Sequence, residues 1–349
     1  MSRTNIGAWQ VDKVVKPLQV KPAPYTSPRA NEIVVKNHAV AINPVDVGIQ
    51  DKGDVIFDWL TYPTILGVDL AGEVVEVGSE ASSRFKIGDR VIGVALGAMP
   101  DRNTHAEGAF QGYTVVLANM AAKIPSSLDY TNGCVLPLAL ATAAAGLFLK
   151  EYLNLQLPMV PAQKSTGKVV VIWGGSSSVG SNAIQLAVAA GYEAFSTASP
   201  RNFDYLKKLG ASQVFDYKDE NVVQKIIDAL KGKEVAGALA IGMNSLEPCA
   251  TILSKTSGSK FVADVMAPIS TTPIPPELGV TSKFVLSSDL RNNEVGEAIY
   301  GAFLENALET GKYIAAPDPE VAGHGLEHIQ DAYDIFNKGV SAKKIVVTL

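Results

Sequence analysis

Cysteine and histidine are scarce in this sequence, which has two of the first and four of the second in 349 residues. Cys134 and Cys249 are too few for a disulfide framework or a four-thiolate metal site. A chain of this kind is most simply placed in a reducing compartment. We therefore expect a cytoplasmic protein without structural disulfides.

Positive charge is also limited. The formal net charge is −5, and the lysines and arginines form no basic block. A nucleic-acid-binding domain usually carries a basic patch or stripe on one face. The composition therefore predicts no nucleic-acid partner.

Long apolar runs are missing too. Residues 134–149 are interrupted by Pro137 and Gly146 and are shorter than the roughly 20 residues that a membrane span needs. The first five residues lack the apolar core of a signal peptide. We expect no membrane partner, and the 47% hydrophobic and 19% charged content is typical of a globular protein long enough for two domains.

The first third of the chain has the pattern of short β-strands. Apolar and polar residues alternate in 32–36 and 72–78, and 88–93 predicts another short strand behind a turn. Frequent glycines and prolines favour a barrel or sandwich of short strands. We expect a β-rich domain here.

A strand, a turn and a helix are predicted near the middle of the chain. The apolar run 168–173 is typical of a buried parallel strand, and a small-residue helix follows its glycine- and serine-rich turn. The start of such a helix presents unpaired N–H groups and the positive dipole end, where phosphate binds.

The turn meets the fingerprint G-x-G-x-x-G except at Ser177, which stands at the middle glycine. We expect the hydroxyl and backbone of Ser177 to face a pyrophosphate. The predicted pyrophosphate site consists of Gly175, Ser176, Ser177, Ser178, Val179 and Gly180.

Strand and helix patterns alternate after this turn. Apolar residues at helical spacing separate the predicted strands, which lie at 193–196, 214–217, 235–241, 260–266 and 283–287. This succession predicts a doubly wound parallel sheet, the Rossmann arrangement.

The end of the second predicted strand distinguishes NADH from NADPH. An NAD site places Asp or Glu about 20 residues past the glycines, on the ribose 2′-hydroxyl. Residues 194–202 contain no carboxylate, and Ser199 and Arg201 are there instead. A hydroxyl and a guanidinium suit a 2′-phosphate, which a carboxylate would repel. The sequence therefore predicts NADPH, and the alternative interpretation of Arg201 is a solvated cation at a helix start.

Four segments of the first third occur in the order seen in the medium-chain dehydrogenase/reductase superfamily. They are Asn43-Pro44-Val45-Asp46 and residues 62–75, 85–91 and 108–113. In that family they belong to a GroES-like catalytic domain. The amino-acid sequence of residues 173–180 and 199–205 resembles that of zinc-free quinone oxidoreductases and, most of all, that of fungal trans-acting enoyl reductases.

The resemblance implies an α/β protein of two domains. A GroES-like, β-rich catalytic domain would span 1–125 plus 313–349. A Rossmann NADP-binding domain with a doubly wound parallel sheet would span 126–312.

The resemblance also implies cofactor contacts outside the glycine turn. Thr142 matches a threonine that lies near the nicotinamide in relatives, and Tyr217 matches a tyrosine that flanks the adenine. The turn of Val340 and Ser341 lies beside the nicotinamide ribose in relatives. Further cofactor-binding residues are expected at Asp46, Asn202 and Val265. A threonine that caps its own buried helix, and an edge strand that closes the barrel, are alternative interpretations of Thr142 and of the 340–341 turn.

The chain departs from the zinc-dependent members of this superfamily. They carry a Cys at or near Asn43, a His-Glu pair at Val68 and Asp69, and a third catalytic ligand at Leu138. A catalytic zinc needs three nitrogen, sulfur or carboxylate ligands and an open position. All four histidines of the chain lie outside these ligand positions; they are His38, His105, His324 and His328. We expect an enzyme without zinc and without a metal site.

The chemistry implied is hydride transfer from NADPH to the β-carbon of a C=C bond conjugated to a carbonyl, followed by protonation of the α-carbon. No catalytic residue is assigned, because Gly48 and Gly53 stand where relatives carry a Lys and a Tyr. The substrate would be a small-molecule or carrier-bound unsaturated carbonyl compound, with a synthase as a partner and a monomeric or homodimeric enzyme. The alternatives are a reductase of quinones, or of aldehydes and ketones, and a non-catalytic NADPH-binding accessory protein.

Overall fold

The computed structural model describes residues 3–266 and 273–349. Its strands are β1 (Asn5–Gln10), β2 (Gln19–Ala23), β3 (Glu32–Ala41), β4 (Thr64–Ile65), β5 (Asp69–Val77), β6 (Arg90–Val94), β7 (Tyr113–Leu117), β8 (Ala121–Lys123), β9 (Lys168–Trp173), β10 (Glu193–Ala198), β11 (Gln213–Asp216), β12 (Glu234–Ala240), β13 (Ser257–Gly258), β14 (Phe261–Asp264), β15 (Thr281–Phe284), β16 (Asp318–His324) and β17 (Lys343–Thr348).

The helices of the described residues are α1 (Pro44–Ile56), α2 (Tyr130–Gly133), α3 (Pro137–Phe148), α4 (Ser178–Ala189), α5 (Phe203–Lys208), α6 (Val222–Ala229), α7 (Leu246–Ser254), α8 (Glu294–Gly296), α9 (Leu304–Glu309) and α10 (Ile329–Asn337). A π-helical stretch, Glu297–Phe303, continues α8 into α9.

The chain divides into two compact units. The first consists of Met1–Leu138 and Asp318–Leu349, and the second of Ala139–Pro317. Both ends of the chain thus contribute to the first unit, although each boundary lies further along the chain than the predicted 125/126 and 312/313.

The first boundary follows from the packing of α2. The Tyr130 ring stacks on His38 with the ring centroids 4.6 Å apart. A Cβ added at Gly133 would lie only 3.0 Å from the Ile92 side chain, so α2 lies close against the sheet of the first unit. The residues after 125 therefore belong to that unit up to the start of α3.

The second boundary follows from hydrogen bonds to α4. The Tyr313 hydroxyl donates to Asn182 Oδ1 at 2.6 Å. The Gln185 side chain accepts from the Ile314 N–H at 2.8 Å and donates to the Ile314 carbonyl at 3.0 Å. The segment that begins at residue 313 therefore stays with the second unit before the chain returns to the first.

The first unit is built mainly on antiparallel strands. One sheet has the order β16-β17-β3-β5-β6-β8, with β7 also paired to β3, and a smaller sheet has the order β2-β1-β4. Its core contains Phe110 and Tyr333, whose rings meet edge to face with centroids 6.1 Å apart. The predicted β-rich domain is confirmed.

The second unit is built on a parallel sheet of order β11-β10-β9-β12-β14-β15, with β13 paired to β12. This order is that of the doubly wound Rossmann arrangement, in which a ligand binds where the order reverses, here between β9 and β12. Val169, Val170, Val171 and Ile172 of β9 are all at most 1% exposed, as a central parallel strand requires. The predicted α/β fold class is confirmed.

Among the residues that the structure describes, one helical stretch, Tyr130–Phe148, is long and apolar enough to cross a membrane by length and composition alone. This stretch of 19 residues begins four residues before the apolar run 134–149. However, 83% of its most apolar window is buried inside the protein, as in the core helix of a soluble protein.

Candidate functional site

Three glycines shape the turn between β9 and α4. Gly174 has φ +85°, in the left-handed region that favours glycine. A Cβ at Gly175 would lie 2.1 Å from Ser196 Oγ, and one at Gly180 would lie 2.3 Å from the Gly174 carbonyl oxygen. The start of α4 can approach the end of the strand closely because these positions carry no side chain.

Ser177 caps α4. Its hydroxyl donates to the Gly174 carbonyl at 2.7 Å and accepts from the Gly180 N–H at 3.0 Å, and its own N–H donates to Gly174 at 3.1 Å. The expectation that this hydroxyl and its backbone N–H face a phosphate needs correction, because the structure uses both inside the turn.

The anion-binding capacity of the turn lies in its other N–H groups. Those of Ser176, Ser178 and Val179 have no acceptor among residues 3–266 and 273–349. They are the donors that a helix start leaves unsatisfied, and they lie at the positive end of the helix dipole. An anionic pyrophosphate fits this turn by its donor set.

The ends of β10 and β11 bring together the residues predicted for the adenosine end. The Ser199 hydroxyl lies 3.5 Å from the Tyr217 hydroxyl. Arg201 and Tyr217 are exposed, whereas Asn202 is 8% exposed. Since this corner carries a guanidinium and no carboxylate from the end of β10, it can accept a phosphate on the ribose.

Sequence reasoning missed one cation at this corner. The Lys218 ammonium lies 6.0 Å from the centroid of the Tyr217 ring, and the Lys218 N–H donates to Asp216 Oδ1 at 3.0 Å. The signal that could have found it is its position next to the tyrosine. Lys218 adds a second positive charge at the carboxyl ends of β10 and β11, which are paired.

Two of the remaining predicted cofactor contacts, Thr142 and Val265, belong to the second unit. Thr142 is 8% exposed in α3, and the Val265 N–H, just past β14, donates to the Ala240 carbonyl at 2.9 Å. Beside Val265, the Asp264 carboxylate accepts from the Met266 N–H at 3.0 Å, and burial raises its pKa. The sequence interpretation had not singled out this carboxylate.

The other three predicted contacts belong to the first unit. Asp46 is 1% exposed, and its Oδ2 accepts from the Asn43 N–H at 2.8 Å in the capping box of α1. Burial raises the pKa of Asp46 to about 7. Val340 is 38% exposed, in the turn with Ser341 that precedes β17. Asp46 is thus a buried cap, which differs from an open cofactor contact.

A buried polar cluster surrounds Asp69. Its Oδ2 lies 2.9 Å from Lys344 Nζ and 3.0 Å from Asn43 Nδ2, and its Oδ1 accepts from the Leu138 N–H at 2.6 Å. Asp69 is 0% exposed, and Asn43 and Lys344 are at most 4% exposed. Asn43, Asp69 and Leu138 stand at or near positions that the sequence comparison associates with the zinc site of zinc-dependent members, and the Lys344 ammonium lies among them.

Within the described ranges, no group of three or more His, Cys, Asp or Glu side chains is placed to hold a metal ion. Each histidine has a neighbour of another kind. His38 stacks on Tyr130, and the ring of His105 lies tilted against Trp9 with the centroids 5.3 Å apart. The rings of His324 and His328 are hydrogen-bonded to Thr348 and Asp331. Both cysteines are buried free thiols, and burial raises the pKa of each.

Comparison with known proteins agrees with this geometry. Residues 29–126 match the alcohol dehydrogenase GroES-like domain family. The dehydrogenase pigH of Monascus ruber is 50% identical over 99% of this chain and 100% of its own length. The trans-enoyl reductase himH of Aspergillus japonicus is 39% identical over 100% of this chain and 98% of its own length.

A solved structure extends the comparison to the fold. The mycobacterial protein Rv1454c, complexed with NADPH, has a TM-score of 0.72 to this chain and 18% sequence identity. The match covers 99% of this chain and 100% of the other. Both units therefore have counterparts in one protein of known structure.

Proposed function

The chain is an oxidoreductase of the medium-chain dehydrogenase/reductase superfamily, in its enoyl-reductase-like branch, and we propose that it uses NADPH, without zinc, to reduce a C=C bond conjugated to a carbonyl. The observation that carries the cofactor choice is the corner at the end of β10. Ser199 and Arg201 follow β10 there, Lys218 follows the paired strand β11, and residues 194–202 contain no carboxylate. The positive charges of Arg201 and Lys218 would attract a 2′-phosphate at this corner.

The turn after β9 supports dinucleotide binding. The N–H groups of Ser176, Ser178 and Val179 would hold the pyrophosphate, and the α4 dipole favours its charge. Arg201 would bind the 2′-phosphate, and Tyr217 would flank the adenine.

When bound, NADPH supplies the hydride for the β-carbon of the conjugated C=C bond. Thr142, Val340 and Ser341, which resemble nicotinamide-end residues of relatives, would orient the nicotinamide. Their contribution is to hold the reacting atoms in line, which converts a slow encounter into a fast intramolecular step.

Zinc independence is supported by the chemistry of the Asp69 cluster. Asn43 and Asp69, at two positions where zinc-dependent members carry ligands, are hydrogen-bonded to each other and to the Lys344 ammonium. A metal cation there would have to displace a buried positive charge. Polarisation of the substrate carbonyl is therefore left to hydrogen-bond donors.

The substrate class is supported by the relative that is named a trans-enoyl reductase. On this basis the substrate is an unsaturated carbonyl compound, either free or carried by a partner synthase. The buried, unpaired thiols of Cys134 and Cys249 fit a reducing cytoplasm.

Side-by-side assays of purified protein test the proposal. NADPH oxidation is followed with an α,β-enone, a quinone and an aldehyde, with NADH run in parallel and bound zinc measured by elemental analysis. We expect a saturated ketone from the enone, a clear preference for NADPH and no stoichiometric zinc. Turnover of the quinone or the aldehyde alone would assign one of the alternative activities, and no turnover with any class would indicate an accessory protein.

A further inference from the structure

The Asp69 carboxylate accepts hydrogen bonds from three different parts of the first unit. Its Oδ2 accepts from the Lys344 ammonium and the Asn43 side-chain amide, and its Oδ1 accepts from the Leu138 N–H. A buried charge is stable only when it is paired and hydrogen-bonded in this way. The cluster therefore holds its members in one arrangement.

Two of the three donors lie close in the chain to a predicted nicotinamide contact. Leu138 is the second residue of α3, about one helical turn before Thr142. Lys344 is the second residue of β17 and closely follows Ser341. Asn43 precedes α1, and its N–H donates to Asp46.

Asp69 also supplies what the start of α3 lacks. The residue before this helix is Leu136, which has no side-chain acceptor, and the first helical residue is Pro137, which has no N–H. The next N–H, that of Leu138, finds its acceptor in Asp69, 69 residues away in the chain. The carboxylate thus caps the helix from another element, and its negative charge interacts favourably with the positive end of the helix dipole.

We propose that Asp69 and Lys344 are positioning residues, which fix the start of α3 and the start of β17 and thereby Thr142 in α3 and the 340–341 turn just before β17, the residues predicted for the nicotinamide end of the cofactor. This role rests on the proposed reductase function. Neither side chain needs to touch the cofactor, because each acts through the backbone of an element that does.

The double variant D69N/K344M tests this role, because it removes both charges and leaves no unpaired ion in the core. Three quantities are measured: the Kd of NADPH by its nicotinamide fluorescence, the Kd of 2′,5′-ADP, which has no nicotinamide, and kcat with an enone. We expect the 2′,5′-ADP Kd to stay within about twofold while the NADPH Kd rises several-fold and kcat falls about tenfold or more, since a misplacement of about 1 Å can cost on the order of 100-fold in rate.

The matched control is the exposed pair of Lys168 and Glu234, whose charged atoms are 2.7 Å apart. K168M/E234Q should leave all three quantities unchanged, since exposed pairs contribute little. If D69N/K344M does not fold, Asn43→Ala is measured in the same way. It removes one donor to Asp69, and the same shift, smaller, is expected.

The ratio of the NADPH Kd to the 2′,5′-ADP Kd decides the outcome. A folded variant with the wild-type ratio overturns the proposal, and so does an equal loss of affinity for both ligands, which would indicate a general structural role. If the wild-type protein reduces no enone, the proposed function fails, but the two affinities still test the cluster.

Discussion

The Ser177 hydroxyl accepts the Gly180 N–H at 3.0 Å and so closes the first turn of α4. The serine that interrupts the glycine fingerprint is therefore the N-cap of α4. Its hydroxyl is used in hydrogen bonds to Gly174 and Gly180. The donors left for a ligand are the backbone N–H groups of the neighbouring residues.

Replacing Ser177 by Ala removes this cap. We expect the free energy of unfolding to fall by about 1 kcal/mol, the usual cost of a lost N-cap, measured by urea denaturation. NADPH affinity should change little, because the Ser178 and Val179 N–H groups remain. The control is Ser254→Ala, whose hydroxyl bonds the Thr251 carbonyl within one helical turn. A tenfold loss of NADPH affinity at unchanged stability would contradict the assignment of this hydroxyl to the cap.

Replacing Arg201 by Ala tests the 2′-phosphate corner. A hydrogen bond to a charged group contributes about 1.5–3 kcal/mol, so the KM for NADPH should rise by roughly tenfold to a hundredfold. The KM for NADH should hardly change. Steady-state kinetics with both cofactors make the comparison, and Lys207→Ala, an exposed cation of the following helix α5, is the control. Equal losses with NADPH and NADH would sink the assignment.

Gly180→Ala places a methyl group 2.3 Å from the Gly174 carbonyl oxygen. Because that neighbour is backbone, the helix start must shift, and we expect a loss of about 1–3 kcal/mol in stability together with weaker NADPH binding. Thermal denaturation measures the first. Gly48→Ala is the matched control, since a Cβ there meets nothing within 4 Å. Equal melting temperatures for the two variants would rule out the close approach.

Asp46 predicts a pH dependence of stability. Burial raises its pKa in the folded state to about 7, against 3.8 ordinarily. Between these values the folded state binds more protons than the unfolded state, so the free energy of unfolding falls as pH rises, by up to about 1.4 kcal/mol per pH unit. Asp46→Asn keeps an acceptor for Asn43 and should flatten this slope in urea denaturation from pH 4 to 7. A slope as steep as in the exposed control Asp58→Asn would show that another group is responsible.

The sequence predicts the parallel sheet well because its signals are local. The apolar run of β9, the glycines after it and the alternation that follows each lie within a few neighbouring residues. The absence of a carboxylate at the end of β10 is equally readable. The sequence places Lys218 next to Tyr217. The distance of 6.0 Å between its ammonium and the tyrosine ring depends on the tertiary structure.

The Asp69 cluster could not be predicted in this way. Asn43 and Lys344 are 301 residues apart. The residues around each of them form no local pattern that predicts their hydrogen bond or their contact with Asp69. Likewise, the boundary beyond residue 312 depends on Gln185 bonding Ile314, a contact between distant segments. Such contacts are consequences of the tertiary fold, whereas periodicity reports only which face of an element is buried.

The discontinuous first unit has a consequence for synthesis on the ribosome. The second unit, Ala139–Pro317, is a continuous segment and can fold once it has emerged. The first unit has to wait, because β17 pairs with β3 and Lys344 pairs with Asp69. Until β17 has left the exit tunnel, the Asp69 carboxylate lacks its counter-charge and part of the β3 edge stays unpaired. A nascent chain that stalls before β17 would therefore carry a folded second unit and an incomplete first unit.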